Sequence, residues 1–311
     1  MTITVTINPA IDKTARAEAI HLRGLNRLTR VEKDVGGKGI NVSKAIAALG
    51  GSSIACGFLA GATGRLIEEL LQKEGITPDF IHVSGETRTN LKLVEPGGYL
   101  TEFNEQGPTV TGEELAALRN KLVSYASPET IFVLAGSRCP GVPEDIYRQL
   151  ILAVKEKGSR VFLDADGPLF AKALEACPDV VKPNSFELAQ YFGLEGEPSR
   201  EKIVALGRRL VERGVKLVCV SMGGKGACFF TEKRSWYAPG LPVEVRSAVG
   251  AGDAMAAALC YGLDQGMALE DRLRLAMAAS AGAVTTEGTK PPDRALVARL
   301  EEQVTLTPIG K

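Results

Sequence analysis

Short apolar segments alternate with amphipathic segments along most of this chain, and this alternation restricts the possible folds more than any other feature of the sequence. The apolar segments are rich in β-branched residues and have the length of strands, as in parallel sheets that are covered on both faces. The predicted strands are residues 3–7, 53–58, 131–135, 161–163 and 217–221.

The segments between these strands carry apolar residues at three- and four-residue spacing, which is typical of helices that pack one face on a sheet. Thr111, Pro143 and Ser199 are suitable first residues for three of them. An alanine-rich region, residues 250–303, is also predicted to be helical. We therefore expect one α/β domain over residues 1–311, in which a doubly wound, mostly parallel sheet has helices on both faces. The predicted helices before the alanine-rich region are residues 63–74, 111–126, 143–157 and 199–213.

Two segments do not follow this alternation. Residues 12–33 and 87–106 are polar and strand-like, and they lack the apolar periodicity of a core helix. We predict that they form a small β-sheet outside the main fold. Such a sheet is either a decorative hairpin or a lid over a site, and the pattern alone does not choose between the two.

The charges of the chain balance, because its 311 residues include 37 Lys and Arg and 37 Asp and Glu. A neutral chain lacks the broad positive surface with which proteins bind nucleic acids or anionic membranes. We therefore expect no nucleic-acid and no membrane partner, and we expect any anion site to be a local cluster of cations.

Cysteine and histidine are arranged without the spacing of a metal or nucleophile site. The six cysteines include no C-x-x-C pair, and the two histidines, His21 and His82, lie in no nucleophile motif. The N-terminus has neither a basic leader nor an extended apolar core, and no stretch approaches the ~18 apolar residues that span a bilayer. We expect a cytoplasmic protein with reduced thiols, whose chemistry relies on carboxylates, lysines and backbone groups.

The first glycine-rich segment is GGKGINVSKAIAALG, residues 36–50. Gly36, Gly37 and Gly39 lead the chain into a helix N-terminus, where backbone N–H groups and the helix dipole favour anions. Lys38 adds a cation, so the segment is suited to a phosphate or a sugar; a plain glycine turn before a helix is the alternative. A Walker A loop is excluded, because Gly39 follows Lys38 where Ser or Thr is required.

The second glycine-rich segment is SAVGAGDAMAAALCYGL, residues 247–263. Gly250 and Gly252 allow backbone amides to converge on an anion, and Asp253 lies beside them in the first turn of a helix. A proton-accepting carboxylate next to an anion hole is what phosphoryl transfer to a hydroxyl requires. Alternatively, Asp253 interacts only with the helix N-terminus, or the glycines form a dinucleotide fingerprint, which Met255 disfavours because a small residue is needed there.

Two further segments lie between strands and helices. Residues 180–193, VVKPNSFELAQYFG, end a strand at Lys182 and place Asn184 and Glu187 at the start of a helix. This N-x-x-E spacing is that of a capping box, and it equally suits a carboxylate that orients hydrated magnesium. Residues 221–230, SMGGKGACFF, are compatible with a hairpin turn or with a surface for a nucleotide.

With these four segments in this order, the chain resembles the ribokinase-like, or PfkB, family of carbohydrate kinases over nearly its whole length. GGKGINVSKAIAALG is similar to the N-terminal signature of that family, and SAVGAGDAMAAAL is similar to its C-terminal signature. TVTINPAIDK, TRTNLKL, TEFNEQGP and KPNSFE are most similar to segments of the 1-phosphofructokinases and the tagatose-6-phosphate kinases. The resemblance implies a ribokinase-like fold with a small β-sheet lid.

The resemblance also implies an activity. The chain is expected to transfer a phosphoryl group from ATP to a ketohexose phosphate, with fructose 1-phosphate favoured as acceptor and fructose 1,6-bisphosphate as product. Tagatose 6-phosphate and fructose 6-phosphate are the alternative acceptors within the family. ATP and Mg²⁺ are the implied cofactors. A homodimer formed through the lid is the implied assembly.

Matching the motifs of the family residue by residue implies a role for each site residue. Asp253 is the general base, Gly250, Ala251 and Gly252 form the anion hole, and Glu187 binds Mg²⁺. The implied acceptor-binding residues are Asp12, Arg27, Gly37, Lys38, Asn41, Arg88 and Arg138. The implied nucleotide-binding residues are Lys182, Asn184, Ser221, Gly223, Gly224, Gly226, Gly252 and Ser280.

Two positions depart from the pattern of the family, and two other functions stay open. Arg138 interrupts a G-S-x-P-x-G stretch and is either an extra phosphate ligand or a surface residue, while Asn90 stands where some relatives carry a second cation. A kinase for an unphosphorylated sugar or nucleoside is expected to lack the pair Lys38 and Arg88. A non-catalytic sugar-phosphate sensor is expected to have lost Asp253 or its flanking glycines, and the intact G-A-G-D argues against it.

Overall fold

The predicted α/β alternation is present in the computed structural model, which describes residues 1–21, 23–97 and 99–310. Strands β1 to β15 are, in chain order, Thr2–Thr6, Ala10–Arg16, Arg30–Gly36, Ser53–Ala60, Thr77–Pro78, Ile81–Val83, Arg88–Val94, Leu100–Phe103, Ile131–Ala135, Arg160–Asp164, Val180–Val181, Leu217–Ser221, Ala227–Phe230, Ser235–Ala238 and Thr307–Pro308. Helices α1 to α10 are Lys38–Ala48, Gly61–Lys73, Gly112–Tyr125, Ile146–Lys155, Gly167–Leu174, Ser185–Tyr191, Arg200–Glu212, Ala251–Asp264, Leu269–Ala283 and Arg294–Glu301.

The larger sheet is mostly parallel and has the order β15-β14-β13-β12-β11-β10-β9-β1-β4-β5, with β6 also paired to β4. Strands from β12 across to β5 run parallel, and β13, β14 and β15 add an antiparallel edge. The chain proceeds from β1 to β4 on one side and later from β9 outward on the other. A switch point therefore lies between β1 and β9, where open α/β sheets bind ligands at the carboxyl ends of their strands.

Both faces of this sheet are covered, which explains why its strands read as continuous apolar runs. In β9, Phe132 and Leu134 pack into the layer formed with α3 to α7, whereas Ile131, Val133 and Ala135 pack into the layer formed with α1 and α8 to α10. All five are at most 1% exposed. Among the described residues, no helix combines the length and the apolar character needed to cross a bilayer.

The smaller sheet has the order β3-β2-β7-β8 and stands apart from the larger one, as the sequence predicts. Its strands extend beyond the predicted segments, to Ala10 and Gly36. Leu22 and Gly98 fall within those predicted segments and lie outside the described residues. Asp12 on β2 lies directly opposite Asp34 on β3 and Asn90 on β7, so these three side chains share one face of the smaller sheet.

Two of the three predicted helix starts are confirmed. Thr111 forms a capping box with Glu114, and the Ser199 hydroxyl accepts a hydrogen bond from the Lys202 amide. The predicted start at Pro143 is wrong, because α4 begins only at Ile146. There the Ile146 amide donates to the Pro143 carbonyl, which closes a turn in front of the helix instead of its first helical turn.

Candidate active site

A cleft of about 940 Å³ lies over the carboxyl ends of the parallel strands, and the smaller sheet contributes one of its walls. The topology explains the position, since the loops after β1, β9 and β10 and the first turns of α1 and α8 converge at the switch point. Every residue that the sequence assigns to the site lines this cleft, apart from Arg27 and Arg138.

The first turn of α8 forms the centre of the cleft. Gly250 precedes the helix with a φ of 85°, a left-handed conformation that glycine adopts without strain, and Asp253 is the third helical residue. The amides of a first helical turn have no intrahelical acceptor, so those of Ala251, Gly252 and Asp253 are available to an anion. The turn thus combines hydrogen-bond donors with a carboxylate.

Asp253 is buried, with 7% of its surface exposed. Asn41 on α1 donates a hydrogen bond of 2.7 Å from Nδ2 to Asp253 Oδ2. Burial raises the pKa of Asp253 to about 6, and the negative charge of Asp164 contributes in the same direction. A carboxylate with this pKa is mostly ionised at neutral pH and is basic enough to accept a proton from a hydroxyl group in a transition state.

Asp164 joins two lysines beneath this turn. Its Oδ1 lies 3.0 Å from Lys38 Nζ, and its Oδ2 lies 3.0 Å from Lys182 Nζ. The Lys182 ammonium group also packs against the backbone of Gly252, where a Cβ atom would lie only 2.8 Å from Nζ. Glycine at position 252 therefore lets a buried cation reach the start of α8.

The charges of this group keep one another ionised. Burial acts to raise the pKa of Asp164, but Lys182 and Lys38 outweigh it and hold that pKa below its ordinary value. Burial likewise acts to lower the pKa of Lys38, whereas Asp164 and Glu187 raise it above its ordinary value. The cleft therefore contains two ammonium groups on one buried carboxylate, an arrangement suited to transferred phosphate oxygens.

The wall formed by the smaller sheet carries polar side chains on alternate residues. Asn90 Nδ2 and Lys92 Nζ each donate a 2.9 Å hydrogen bond to the Asp12 carboxylate, to Oδ1 and Oδ2 respectively. The carboxylate packs over Gly36, where a Cβ would lie 2.7 Å from Asp12 Oδ2. The sequence assigns Asp12 to the site but misses Lys92, although residues 88, 90 and 92 of one strand must share a face.

Arg88 stands at the end of this wall. Its Nη2 donates to the Asn8 carbonyl at 2.9 Å, and its Nη1 donates to the Glu105 carbonyl at 3.4 Å. Its Nε is buried and has no hydrogen-bond partner among the described residues. Burial lowers the pKa of Arg88, although a guanidinium stays protonated under all ordinary conditions. A half-buried, incompletely satisfied cation is suited to an anionic ligand group.

The Asn184–Glu187 pair forms the capping box that the sequence left as one alternative. Asn184 Oδ1 accepts from the Glu187 amide, and Glu187 Oε2 accepts from the Asn184 amide, each at 2.8 Å. Both residues nevertheless line the cleft, so capping and a contact with a ligand are compatible. Glu187 Oε1 has no donor among the described residues.

The opposite end of the cleft is formed by glycines and apolar side chains. Residues Gly223–Lys225 form a 3₁₀ turn between β12 and the antiparallel β13, so the hairpin is present, and the turn also lines the cleft, as a nucleotide surface requires. Gly226 has a φ of 95°, and a Cβ there would lie 2.0 Å from the Ala238 carbonyl oxygen, so only glycine fits. Ser221 and Ser280 line this end together with apolar side chains that the sequence did not single out, which are Leu241, Val243, Met277 and Val284.

Two predicted acceptor ligands lie outside the cleft. Arg27 is exposed in the loop between β2 and β3. Arg138 lines a smaller neighbouring cavity, where its Nη1 donates to the Val142 carbonyl at 2.9 Å and its Nη2 lies 3.3 Å from Glu144 Oε1. Arg88 lines both cavities, so Arg138 lies next to the cleft although it does not line it, and the acceptor contacts of Arg27 and Arg138 stay predictions.

The carboxylates of the cleft suit a hydrated metal ion and not a metal held in a cage of protein ligands. Among the described residues, no three His, Cys, Asp or Glu side chains group as ligands for a metal ion. Mg²⁺ needs no such cage, because it keeps several waters and takes one or two carboxylates together with phosphate oxygens. The free oxygen of Glu187, in a cleft with Asp164, fits that requirement.

Comparisons with known proteins agree on one family. The model of the pfkB family of carbohydrate kinases matches residues 5–295. The 1-phosphofructokinase of Bacillus subtilis (strain 168) is 37% identical over 287 residues, which cover 92% of this chain and 93% of that protein. The tagatose-6-phosphate kinase of Staphylococcus epidermidis is 30% identical over 281 residues, covering 89% of this chain and 90% of that protein. The crystal structure of phosphofructokinase-2 from Escherichia coli in complex with fructose-6-phosphate superposes with a TM-score of 0.89 at 29% identity, covering 97% of this chain and 98% of that one.

Proposed function

Because the chain belongs to the pfkB family of carbohydrate kinases, it is a phosphotransferase with an alcohol acceptor, and we propose that it phosphorylates fructose 1-phosphate with ATP. The proposed product is fructose 1,6-bisphosphate. The similarity to several 1-phosphofructokinases, at 34% to 37% identity for two of them, supports this acceptor over tagatose 6-phosphate and fructose 6-phosphate.

The partly unsatisfied guanidinium of Arg88 is the observation that carries the proposal. Together with Lys38, Lys92 and Lys182 it gives the cleft four cations, in a chain whose net charge is zero. ATP can account for cations near α8, but Arg88 belongs to the smaller sheet, at the acceptor end. A second anion is therefore expected on the acceptor, as in a sugar phosphate.

The geometry supports a division of labour among the residues. Asp253 accepts the proton of the attacking hydroxyl group. As it does so, the hydroxyl oxygen bonds to the γ-phosphorus of ATP, and the bond from that phosphorus to the ADP oxygen breaks. The amides of Ala251 to Asp253 and the ammonium group of Lys182 stabilise the charge that develops on the phosphoryl oxygens, while Lys38 and Arg88 hold the phosphate of the acceptor. Asp12 and Asn41 hold sugar hydroxyls.

We further propose that the nucleotide lies across the glycine turn at 223–226, against Ser221, Ser280 and the apolar side chains at that end. Asn184 lies beside its phosphates. Glu187 would hold Mg²⁺ through its free oxygen, and when bound the ion would neutralise charge on the nucleotide phosphates.

An acceptor panel tests the proposal. Rates of ADP formation are compared for fructose 1-phosphate, fructose 6-phosphate, tagatose 6-phosphate and unphosphorylated fructose at fixed MgATP. The highest kcat/KM is expected for fructose 1-phosphate. A preference for free fructose would contradict the proposal that Arg88 and Lys38 bind a phosphate on the acceptor. No turnover with any acceptor would favour a sugar-phosphate sensor.

Replacement of Arg88 should affect the acceptor and spare the nucleotide. Arg88→Ala removes a charge-assisted contact worth about 1.5 to 3 kcal/mol, so KM for the acceptor should rise about ten- to hundredfold while KM for ATP changes little. Arg119→Ala is the control, because Arg119 is an exposed arginine on α3 that lines neither the cleft nor the neighbouring cavity. Equal effects of the two variants on acceptor KM would contradict the assignment.

Replacement of Glu187 should separate magnesium use from helix capping. Glu187→Gln retains a side-chain oxygen for the capping box but loses the charge, so we expect a higher Mg²⁺ concentration for half-maximal turnover with an unchanged melting temperature. Glu114→Gln is the control, since Glu114 forms the same capping box with Thr111 on α3 and does not line the cleft. An unchanged magnesium titration in Glu187→Gln would leave capping as its only role.

The smaller sheet is proposed to be a lid on the one α/β domain formed by residues 1–311 and to be the dimer contact. Val31 and Phe103 on its strands are 44% and 54% exposed, and Tyr99 beside β8 is 73% exposed. By strand register Val31 and Phe103 share one face of the sheet, and exposed apolar side chains on one face are typical of interaction surfaces. In a dimer, the exposed Arg27 would lie near the second copy, and its contact with the sugar phosphate stays a prediction.

Light scattering during size-exclusion chromatography checks the dimer. The wild-type chain is expected to elute as a dimer, and the double variant Val31→Glu, Phe103→Glu as a folded monomer, because each glutamate would be buried unpaired in the contact. Leu152→Glu on α4 serves as the control for an exposed apolar residue elsewhere, at 44% exposure. A monomeric wild type, or a dimeric double variant, would contradict the proposal.

A cytoplasmic location is also proposed. Sugar phosphates and ATP are made and consumed in that compartment. The six cysteines are free, and five of them are buried, as expected for a protein kept in a reducing environment.

A further inference from the structure

Asp34 lies at the root of the smaller sheet and has no role in the proposed chemistry. It is on β3, three residues before Gly37, where the chain leaves the smaller sheet and enters α1. Its carboxylate has two oxygens that contact two different parts of the molecule.

The first oxygen of Asp34 is bound to α1. Lys44 Nζ lies 2.5 Å from Asp34 Oδ1 and also donates to the Val35 carbonyl at 3.1 Å. Lys44 is only 4% exposed, and a lysine this deeply buried is rare without a charged partner. The ion pair therefore anchors β3 on the helix that carries Lys38 and Asn41.

The second oxygen of Asp34 is bound to the loop that packs on the anion-hole turn. Thr289 Oγ1 donates a 3.3 Å hydrogen bond to Asp34 Oδ2. Thr289 lines the cleft, and its Cα would lie 3.4 Å from a Cβ added at Gly250. Gly250 is the residue that precedes α8 in the left-handed conformation. One carboxylate thus connects the lid, α1 and the backbone that precedes Asp253.

We propose that Asp34 is a positioning residue that couples the lid to the anion-hole turn through Thr289. It touches neither the proposed substrate nor the reacting atoms. Its contact with Thr289 keeps the 284–292 loop against Gly250, so the amides of the first turn of α8 are held in place when the lid closes on the acceptor. The inference rests on the proposed function only in naming this turn as the anion hole.

Steady-state kinetics of Thr289→Val and Asp34→Ala test the coupling. Thr289→Val keeps the shape of the side chain and the Lys44 ion pair, so the protein should fold normally. Its kcat should fall about tenfold, because a small displacement of positioned groups is costly, while both KM values and the melting temperature change little. Asp34→Ala should lower kcat similarly and also raise acceptor KM. Asp34→Asn should have a higher kcat than Asp34→Ala. The double variant Asp34→Ala, Thr289→Val should show no further loss of kcat.

Glu74→Gln is the matched control. Glu74 Oε1 lies 3.8 Å from the same Lys44 ammonium group, but its carboxylate has no bond to the 284–292 loop in the described structure. Wild-type kcat in Glu74→Gln is expected. Wild-type kcat in Thr289→Val, or losses that multiply in the double variant, would overturn the proposal.

Hydrogen exchange gives a readout that does not depend on the acceptor. The Ala254 amide donates to the Gly250 carbonyl, and the Arg246 and Ser247 amides donate to the Val284 carbonyl. These amides should exchange faster in Thr289→Val and Asp34→Ala than in the wild type or Glu74→Gln. If exchange is faster in these two variants but the wild-type protein turns over no ketohexose phosphate, the proposed function is rejected and this inference is kept. Unchanged exchange in the two variants would reject the inference.

Discussion

Asp253→Asn is expected to lower kcat by about 100- to 10,000-fold, the usual contribution of a positioned general base. The substitution changes little in volume, and Asn41 can still bond to the side chain at position 253. KM for ATP and for the acceptor should stay within a few-fold, because the cations that hold the phosphates are unchanged. Initial rates over a matrix of both substrate concentrations measure these effects separately.

The pH dependence of kcat is the control for this assignment. Asp253 must be ionised to accept a proton, and its pKa is raised to about 6. Wild-type kcat should therefore be full above that pH and fall as the pH decreases through it, whereas the residual activity of Asp253→Asn should lack this acidic limb. If Asp253 only caps α8, asparagine would serve as well and turnover would survive.

Asp164→Asn should have the second large effect, on stability and on the pH profile together. The Asp164 side chain is only 1% exposed, and the substitution leaves the ammonium groups of Lys182 and Lys38 without their counter-charge. Removing one partner of a buried ion pair costs about 3 to 5 kcal/mol in the free energy of unfolding, which denaturant titration measures. Loss of the negative charge next to Asp253 should also move the acidic limb of kcat to lower pH.

Asp179→Asn is the matched control for Asp164→Asn. Asp179 is also buried and also lies near two lysines, 2.7 Å from Lys216 Nζ and 4.0 Å from Lys155 Nζ, but it does not line the cleft. The Asp179→Asn substitution should lower the free energy of unfolding without moving the acidic limb of kcat. A shift of the limb in both variants, or in neither, would contradict the electrostatic role of Asp164.

The periodicity of the sequence was sufficient to predict the fold because burial on both faces imposes it directly. β9 is an unbroken apolar run because its side chains pack against helices on both faces of the sheet. The polar segments 12–33 and 87–106 belong to the smaller sheet, which has a solvent-exposed face. Helix starts were predictable where a side chain caps, as at Thr111 and Ser199. Pro143 misled because proline is equally suited to the turn that precedes a helix.

The residues that line the cleft were predictable where they are contiguous in the chain, and not where they depend on neighbouring strands. Asp253 and its glycines are contiguous in the sequence. Asp164 was missed because its contacts are made by residues distant in the sequence. β11 lies beside β10 and brings Lys182 to Asp164, and α1 brings Lys38. Only its place at the end of a buried strand hinted at a role.

Long side chains in loops were the least predictable. The spacing of Arg27 and Arg138 matches cations of the family, but spacing does not determine where a flexible guanidinium points. Arg138 is bonded to Val142 and Glu144 in this structure, and its contact with an acceptor stays a prediction. The Asn184–Glu187 pair shows the converse, because one spacing satisfies a capping box and still leaves an oxygen at the cleft.

The identity of the reaction product tests the central claim most directly. The purified chain is incubated with fructose 1-phosphate and MgATP, and the mixture is followed by ³¹P nuclear magnetic resonance. The account predicts that fructose 1,6-bisphosphate appears in equal amount to ADP, and that Asp253→Asn forms it far more slowly. Formation of ADP with inorganic phosphate alone, or of no new sugar phosphate from fructose 1-phosphate, would contradict it.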